Sequence, residues 1–308
     1  NHLYVHVPFC KSICSFCNYE RLRPSRPERL RAYVDRVKRS IATLGPAVEH
    51  LTFHTLYIGG GTPSVLPTRL LAELLDALEG GFRFHPKTGR RFEFDPAVMT
   101  AERLDVLEAR GAFHYSFGVQ TLDSGVNAAH DRGAQSAKLV AKRFAEMKER
   151  NIEEVSVDFL MGLAGTTPER LFADIETVVE QHRPHSVDIF MLTPTHAYVA
   201  SHFGGSFDAF WDHIRAFELQ VGPWLQQIAE RQQYRVQVGQ GHHLVLRRDD
   251  GFKRVRATGS MSYSQLASER HQPINLMGIG PSARGHIWGQ AIIQTQDPPE
   301  GAESDAPA

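Results

Sequence analysis

The first two thirds of the chain alternate between short β-forming runs and segments with helical periodicity, and this alternation strongly constrains the fold. The β-forming runs are rich in Val, Ile, Phe and Tyr, and they cover residues 3–7, 53–59, 91–95, 113–119, 154–160 and 186–192. Between them, segments such as 27–44 repeat apolar residues at the three-and-four spacing of one helix face. Six strand–helix units predict an α/β fold with a parallel sheet and a full or partial (β/α)6 barrel of the TIM type.

Chemistry-bearing residues follow three of these runs directly. The cysteine-containing stretch follows the first run, GGGTPS (residues 59–64) follows the second, and Glu93 lies at the end of the third. In a parallel barrel the carboxyl ends of the strands meet at one face, where the chemistry takes place. We therefore expect these residues to lie at the functional face.

The pattern changes after about residue 205. Residues 207–233 are typical of one long helix, interrupted or kinked near Gly222-Pro223, and residues 242–259 predict a hairpin that turns at Asp250-Gly251. The C-terminal end is acidic, rich in proline and poor in apolar residues. The predicted organisation is a barrel core (1–205), a small α+β accessory unit (206–292) and a disordered tail (293–308).

Composition excludes several classes of function. The chain is 42% hydrophobic and 22% charged with a formal net charge of −1, as expected of a globular protein without a nucleic-acid-binding surface. It has no apolar run long enough to span a bilayer, and its first residues lack the order of a signal peptide. Clustered thiols favour a reducing compartment. We expect a cytoplasmic protein that binds neither nucleic acid nor membrane.

All three cysteines of the chain lie in one CxxxCxxC stretch, as Cys10, Cys14 and Cys17. A structural zinc site needs four ligands, and His2 or His6 could supply the fourth. Three thiolates also suit a 4Fe-4S cluster with one iron left open for a small molecule that carries an amine and a carboxylate. The spacing alone leaves both interpretations open.

The surroundings of the cysteines distinguish the two interpretations. Six blocks follow in order: YVHVPFC, YIGGGTPS, FEFDP, SFGVQTLD, VSVDFLMGLAGTT and MGIGPSARGH. Together with Phe16 just before the last cysteine, they resemble the radical S-adenosylmethionine (SAM) enzymes, and within them the oxygen-independent coproporphyrinogen oxidase-like branch. That branch includes haem chaperones and C-methyltransferases. The resemblance covers about residues 3–200 and 275–286 and implies a partial (β/α)6 barrel.

The resemblance implies a role for each matching residue. Three irons of a 4Fe-4S cluster would be bound by Cys10, Cys14 and Cys17. The residues implied to contact the cluster-bound SAM are Tyr4, Phe16, Gly59, Gly60, Gly61, Thr62 and Glu93. Among these, the glycine loop would hold the amino end of SAM, and the Glu93 carboxylate would bind its ammonium group.

A second SAM is the unusual feature that the resemblance implies. Gln120, Arg132 and Asp158 match catalytic positions that line the space between two SAM molecules, with Leu160 as an apolar wall. A buried carboxylate and guanidinium need charged partners, and a second SAM would supply them. The alternative is a structural Arg–Asp pair that braces the barrel.

The substrate is predicted from departures from the family pattern. The chain lacks the HNxxYW segment of the haem chaperones and the RNF segment of the porphyrinogen oxidases, and it has Tyr19 where the oxidases have another cysteine. These differences favour methylation or cyclopropanation of an sp2 carbon in a small-molecule substrate, with a tetrapyrrole-related oxidase or haem chaperone as the alternative.

His242 and His243 are expected at the surface. We further expect a flavodoxin or ferredoxin as electron donor, and a monomer.

Overall fold

The computed structural model describes residues 1–24, 26–111, 113–238, 243–249, 275–287 and 290–293. Each of the first six strands is followed by a helix, and the strand pairs β1–β2, β2–β3 and β5–β6 are parallel. The predicted α/β class is therefore confirmed.

The described strands and helices have the following bounds. The strands are β1 (His2–Val7), β2 (Thr52–Gly60), β3 (Arg83–Phe94), β4 (His114–Gln120), β5 (Val155–Met161), β6 (Ser186–Met191), β7 (Tyr234–Val238), β8 (His243–Arg248), β9 (Leu276–Ile279), β10 (Arg284–Ile287) and β11 (Gln290–Ile293). The helices are α1 (Pro27–Ala47), α2 (Thr68–Gly81), α3 (Ala101–Glu108), α4 (Ser124–Ala129), α5 (Ala137–Glu149), α6 (Pro168–His182), α7 (His196–Phe203) and α8 (Phe207–Gln232).

The chain divides into two compact units. The first contains residues 1–11 and 19–115 together with the described residues from 275 onward. Its strands lie in the order β11-β10-β9-β1-β2-β3, and β1 is parallel to both of its neighbours, β9 and β2. Helix α1 begins with Pro27, whose missing N–H costs nothing at a helix start. It buries Leu30, Val34, Val37 and Ile41, the apolar face that its spacing predicts.

The second unit contains residues 12–18 and the described residues from 116 to 249. Its strands lie in the order β4-β5-β6-β8-β7, with β8 antiparallel to both β6 and β7. At the start of each of these helices, a side-chain oxygen accepts a hydrogen bond from a backbone N–H group. This bond satisfies an N–H donor that has no partner within the helix. These caps are Asp123, Ser136, Thr167, Thr195 and Ser206.

All six predicted strands are present, although the extent of one differs. β3 begins at Arg83, well before the predicted run at 91–95, because its pairing with β2 is irregular. Phe53 pairs with Phe84, but Thr55 already pairs with Gly89, so the intervening residues of β3 form a bulge. The bulge contains residues that are typical of turns, such as Pro86, so the sequence pattern there did not indicate a strand.

Two predictions for the C-terminal region have different outcomes. Helix α8 runs without interruption from Phe207 to Gln232 across Gly222-Pro223, because its buried residues on both sides of Pro223 continue one apolar face. The predicted interruption there is wrong, whereas the alternative, a kink, stays a prediction. The predicted turn at Asp250-Gly251 lies outside the described residues, and the strand that pairs with β8 in a hairpin is the preceding β7, which was not predicted.

The predicted domain division at residue 205 stays a prediction, as does the tail, most of which lies outside the described residues. Within the described ranges, no helix has the length and apolar character needed to cross a membrane.

Candidate functional site

In the first unit, the glycine loop lies beside the segment that leads to Cys10. His6 of β1 pairs with Gly59 of β2, and the amides of Gly61 and Thr62 donate to the carbonyls of Val7 and Phe9 at 2.8 and 2.7 Å. The two chain segments therefore stay paired beyond the ends of their strands.

The close approach of these segments explains the glycines. Gly60 has a φ of +113°, which is accessible to glycine but costly for other residues. A Cβ on Gly61 would lie 2.8 Å from the Phe9 carbonyl oxygen and 2.9 Å from Cys10 Sγ. Thr62 Oγ1 donates to the same sulfur at 3.5 Å. The loop thus packs directly against one of the predicted cluster ligands.

Replacing Gly61 by alanine is expected to destabilise the protein without cofactors by about 1–3 kcal/mol, because backbone of the neighbouring segment must move to admit the methyl group. Gly80→Ala in α2 is the matched control. A Cβ there meets nothing within 4 Å, and alanine is favoured over glycine in a helix by about 0.5–1 kcal/mol. Urea denaturation would measure both, and equal midpoints for the two variants would contradict the close packing.

Glu93 lies at the end of β3 with both carboxylate oxygens occupied. Tyr57 Oη donates to Oε1, and the Gly60 amide donates to Oε2 at 3.1 Å. Burial raises the pKa of Glu93, against the lowering effect of the Tyr57 hydrogen bond and of Arg91. A positively charged ligand would relieve this cost of burial, as expected of a site for an ammonium group.

Tyr57 and His6 belong to the same site, although Tyr57 was not identified from the sequence and His6 was named only as a possible fourth ligand of zinc. Tyr57 packs against Tyr4 with ring centroids 5.6 Å apart, and Tyr4 Oη is 2.9 Å from His6 Nδ1. Burial lowers the pKa of His6 to about 4, so its imidazole is neutral at physiological pH. Tyr57 lies two residues before Gly59 and His6 two residues after Tyr4. The two-residue period of a strand could therefore have indicated both.

In the second unit, the cysteine loop (residues 12–18) contacts Arg132. The Cys17 amide donates to the Cys14 carbonyl at 3.1 Å, which closes a tight turn between these two thiols. Arg132 Nη1 is 3.7 Å from Cys14 Sγ, and its Nη2 donates to the Gly118 carbonyl at 2.8 Å. Arg132 was assigned to a second SAM, and the structure additionally places its positive charge beside a predicted cluster ligand.

Gln120 ends β4 in a backbone conformation that is uncommon for a residue with a side chain. Its φ is +64°. The residues on either side of it are joined by a hydrogen bond, in which the Thr121 amide donates to the Val119 carbonyl at 2.8 Å. The buried Asp174 holds this turn by accepting from Thr121 Oγ1 at 2.6 Å and from the Leu122 amide at 2.7 Å. Backbone strain of this kind concentrates at functional sites. Asp174 was not identified from the sequence.

Asp158 and Leu160 lie on the same face of β5, two residues apart. Asp158 Oδ1 accepts from Ser116 Oγ of β4 at 3.3 Å. Leu160 is partly buried and packs, together with Phe16 of the cysteine loop, against an apolar cluster that includes Leu192 and Tyr198. The structure therefore brings Phe16 and Leu160 to one apolar surface.

His243 is not a surface residue as predicted. Its side chain is 3% exposed, its Nε2 is 2.9 Å from Asp188 Oδ1, and its ring stacks on Phe190 at 4.2 Å. The prediction was wrong because β8 is paired on both sides, with β6 and β7. His242 lies outside the described residues.

The donor set agrees with a cluster bound by thiolates. All three cysteines are free of disulfides, and Cys10 and Cys14 are buried. In the described part of the chain, no three His, Cys, Asp or Glu side chains are grouped so as to hold a metal ion. In a 4Fe-4S cluster each thiolate binds a different iron, so the sulfurs need not converge as the ligands of a single ion must.

Comparisons with known proteins agree with this chemistry. Residues 4–178 match the model of the Radical SAM superfamily. The chain is 27% identical over 188 residues to an Escherichia coli protein named oxygen-independent coproporphyrinogen III oxidase, covering 61% of this chain and 41% of that protein. It is 30% identical over 186 residues to a Bacillus subtilis protein named heme chaperone HemW, covering 59% of this chain and 48% of that protein. The chain thus spans less than half the length of these curated relatives.

Among solved structures, coproporphyrinogen III oxidase from Escherichia coli, described as a radical SAM enzyme, matches with a TM-score of 0.73 and 23% identity over 93% of this chain and 64% of that one. This similarity confirms the partial TIM-type barrel fold.

Proposed function

Because the chain belongs to the radical SAM superfamily, we propose that it binds a 4Fe-4S cluster and SAM and oxidises a tetrapyrrole precursor by radical chemistry. The observation that carries the cofactor part is the buried Glu93 carboxylate, held by Tyr57 and the Gly60 amide beside the glycine loop. The substrate part is supported by relatives named coproporphyrinogen III oxidase and heme chaperone. These names favour the tetrapyrrole alternative over the methyl or cyclopropyl transfer that the sequence motifs favoured.

The residues that would hold the cofactors are those that the resemblance implies. Cys10, Cys14 and Cys17 would bind the cluster as thiolates, and Glu93 would bind the ammonium group of SAM beside the glycine loop. When bound, the cluster and SAM supply a 5′-deoxyadenosyl radical that can remove a hydrogen atom from a carbon of the substrate. The protein contributes orientation of the ligands and exclusion of water.

Individual side chains have distinct tasks in this proposal. Glu93 accepts hydrogen bonds from Tyr57 and Gly60, so its carboxylate is fixed before the ligand binds. Arg132 places a cation near Cys14 Sγ. Gln120, Asp158 and Leu160 would line the ligand space on the second unit, with a second SAM as the proposed occupant.

Further parts of the proposal concern partners. Cleavage of SAM consumes one electron, which a flavodoxin or ferredoxin would deliver. After loss of its hydrogen atom, the substrate radical must lose one further electron, which a separate one-electron acceptor would take up. We also propose that the chain acts as a monomer in the cytoplasm.

Methyl-deuterated SAM distinguishes oxidation from methyl transfer. With coproporphyrinogen III as the probe, the reconstituted protein is first reduced with a strong reductant and then supplied with a one-electron acceptor. It should form unlabelled 5′-deoxyadenosine, methionine that keeps the methyl deuterium, and an oxidised tetrapyrrole, because the hydrogen comes from the substrate. Reconstituted Cys14→Ala should form none of these products. Deuterium in the 5′-deoxyadenosine together with S-adenosylhomocysteine would overturn the oxidase assignment and support methyl transfer.

A further inference from the structure

Ser15 lies between two predicted cluster ligands, Cys14 and Cys17, and its hydroxyl contacts two histidines that are distant in sequence. Ser15 Oγ is 3.0 Å from His130 Nδ1 and 3.3 Å from His202 Nε2. The Ser15 amide also donates to the His130 carbonyl at 3.4 Å. All five residues belong to the second compact unit.

The partners of His130 determine the direction of these hydrogen bonds. His130 Nε2 lies 3.1 Å from the Ala164 carbonyl oxygen, which can only accept, so Nε2 carries the proton. In the neutral ring Nδ1 is then the acceptor, and the Ser15 hydroxyl donates to it. The Ser15 oxygen in turn accepts from His202 Nε2–H. The chain of donors therefore runs from His202 through Ser15 and His130 to the Ala164 carbonyl.

His130 is well fixed for such a role. Its side chain is 1% exposed, and its ring lies 4.5 Å from that of His202 and 5.6 Å from that of Tyr198. Tyr198 is fixed in turn, because its hydroxyl accepts from the Ala164 amide at 2.9 Å. Burial lowers the pKa of His130, which keeps the ring in the neutral form that this direction requires.

The segment that carries His130 contacts the cysteine loop at several points. Phe16 packs edge-on against the His130 ring at 6.0 Å, and Arg132, two residues further on, contacts Cys14 Sγ. Hydrogen bonds to Ser15 therefore restrict the loop between the two thiols, while Phe16 and Arg132 restrict it on either side of Ser15.

We propose that His130, Ser15 and His202 form a hydrogen-bonded clamp that positions Cys14 and Cys17 to bind the cluster. This inference rests on the proposed function only for the identity of the cluster, because the clamp itself is a property of the chain without cofactors. The three clamp residues are positioning residues, since none of them is a proposed ligand of iron.

The chain provides an internal control for testing the clamp without cofactors. Trypsin cleavage after Lys11 and Arg21 separates Cys10, on peptide 1–11, from Cys14 and Cys17, on peptide 12–21. Brief alkylation of the folded, cofactor-free protein, followed by digestion and mass spectrometry, therefore measures both sets of thiols in one sample. Ser15→Ala and His202→Phe should raise the alkylation rate of peptide 12–21 at least threefold and leave that of peptide 1–11 unchanged.

Conservative variants separate loss of the hydrogen bond from loss of packing. His202→Gln retains a donor near the position of Nε2, and His130→Asn retains an acceptor near the position of Nδ1. Both should restore alkylation rates to within twofold of the unchanged chain, whereas His130→Phe, which keeps only a ring, should not. Equal rates for the Phe and the Gln or Asn variants would overturn the proposal.

The reconstituted protein provides a second measurement. Ser15→Ala and His202→Phe should lose iron to a chelator several times faster than the unchanged chain and should change the electron paramagnetic resonance signal of the reduced cluster, while His202→Gln should do neither. If no variant takes up iron, the proposed function fails, and the alkylation rates still decide the clamp. Cluster signals and chelator rates that are identical in all variants would count against the clamp.

Discussion

Alanine in place of Cys14 is expected to leave the anaerobically reconstituted protein with almost no iron, where the unchanged chain should hold about four irons per molecule. Only three thiols exist in the sequence, so no other cysteine can replace the missing ligand. Cys14 is buried, and its sulfur contacts Arg132. Iron and sulfide analysis together with the broad visible absorbance of the cluster would measure the loss.

Ser12→Ala is the matched control for this variant, since Ser12 is an exposed residue of the same loop. It should retain iron at the level of the unchanged chain. Stoichiometric zinc and no uptake of iron in the unchanged chain would contradict the cluster and revive the structural zinc site. In that case, His2 or His6 would need to be tested as the fourth ligand.

The elements that the sequence predicted correctly are those that local patterns encode. Runs such as 186–192 contain enough Val, Ile and Phe to identify a strand without knowledge of its neighbours. The apolar spacing of 27–44 likewise identified the buried face of α1. The prediction that Glu93 lies at the end of its strand followed from the same patterns.

The interactions that complete the site were not predictable because they join residues that are far apart in sequence. Ser15 and His130 are separated by 115 positions, and Thr121 and Asp174 by 53. No local periodicity relates such pairs, since both depend on how the strands are ordered. His243 illustrates the same limit: its burial depends on strands β6 and β7 on either side of it.

Glu93→Gln is expected to weaken SAM binding by roughly 100-fold, which corresponds to about 3 kcal/mol for the loss of one partner of a buried charge pair. Glutamine keeps the size of the side chain, its oxygen can accept from the Gly60 amide, and its NH2 group can donate to the Tyr57 hydroxyl, so the fold should persist. Only the negative charge opposite the ammonium group is lost. Equilibrium binding of SAM to the reconstituted protein would measure this effect.

The pH dependence of SAM binding distinguishes the effect of the charge of Glu93 from the effect of its shape. Burial raises the pKa of Glu93 above its ordinary value, and only the ionised carboxylate pairs with an ammonium group. SAM affinity should therefore fall as the pH decreases through this raised pKa, and it should recover above it. Glu93→Gln should abolish this dependence, whereas Glu49→Gln, at an exposed position after α1, should keep both the affinity and its pH profile. An unchanged pH profile in Glu93→Gln would show that another group binds the ammonium.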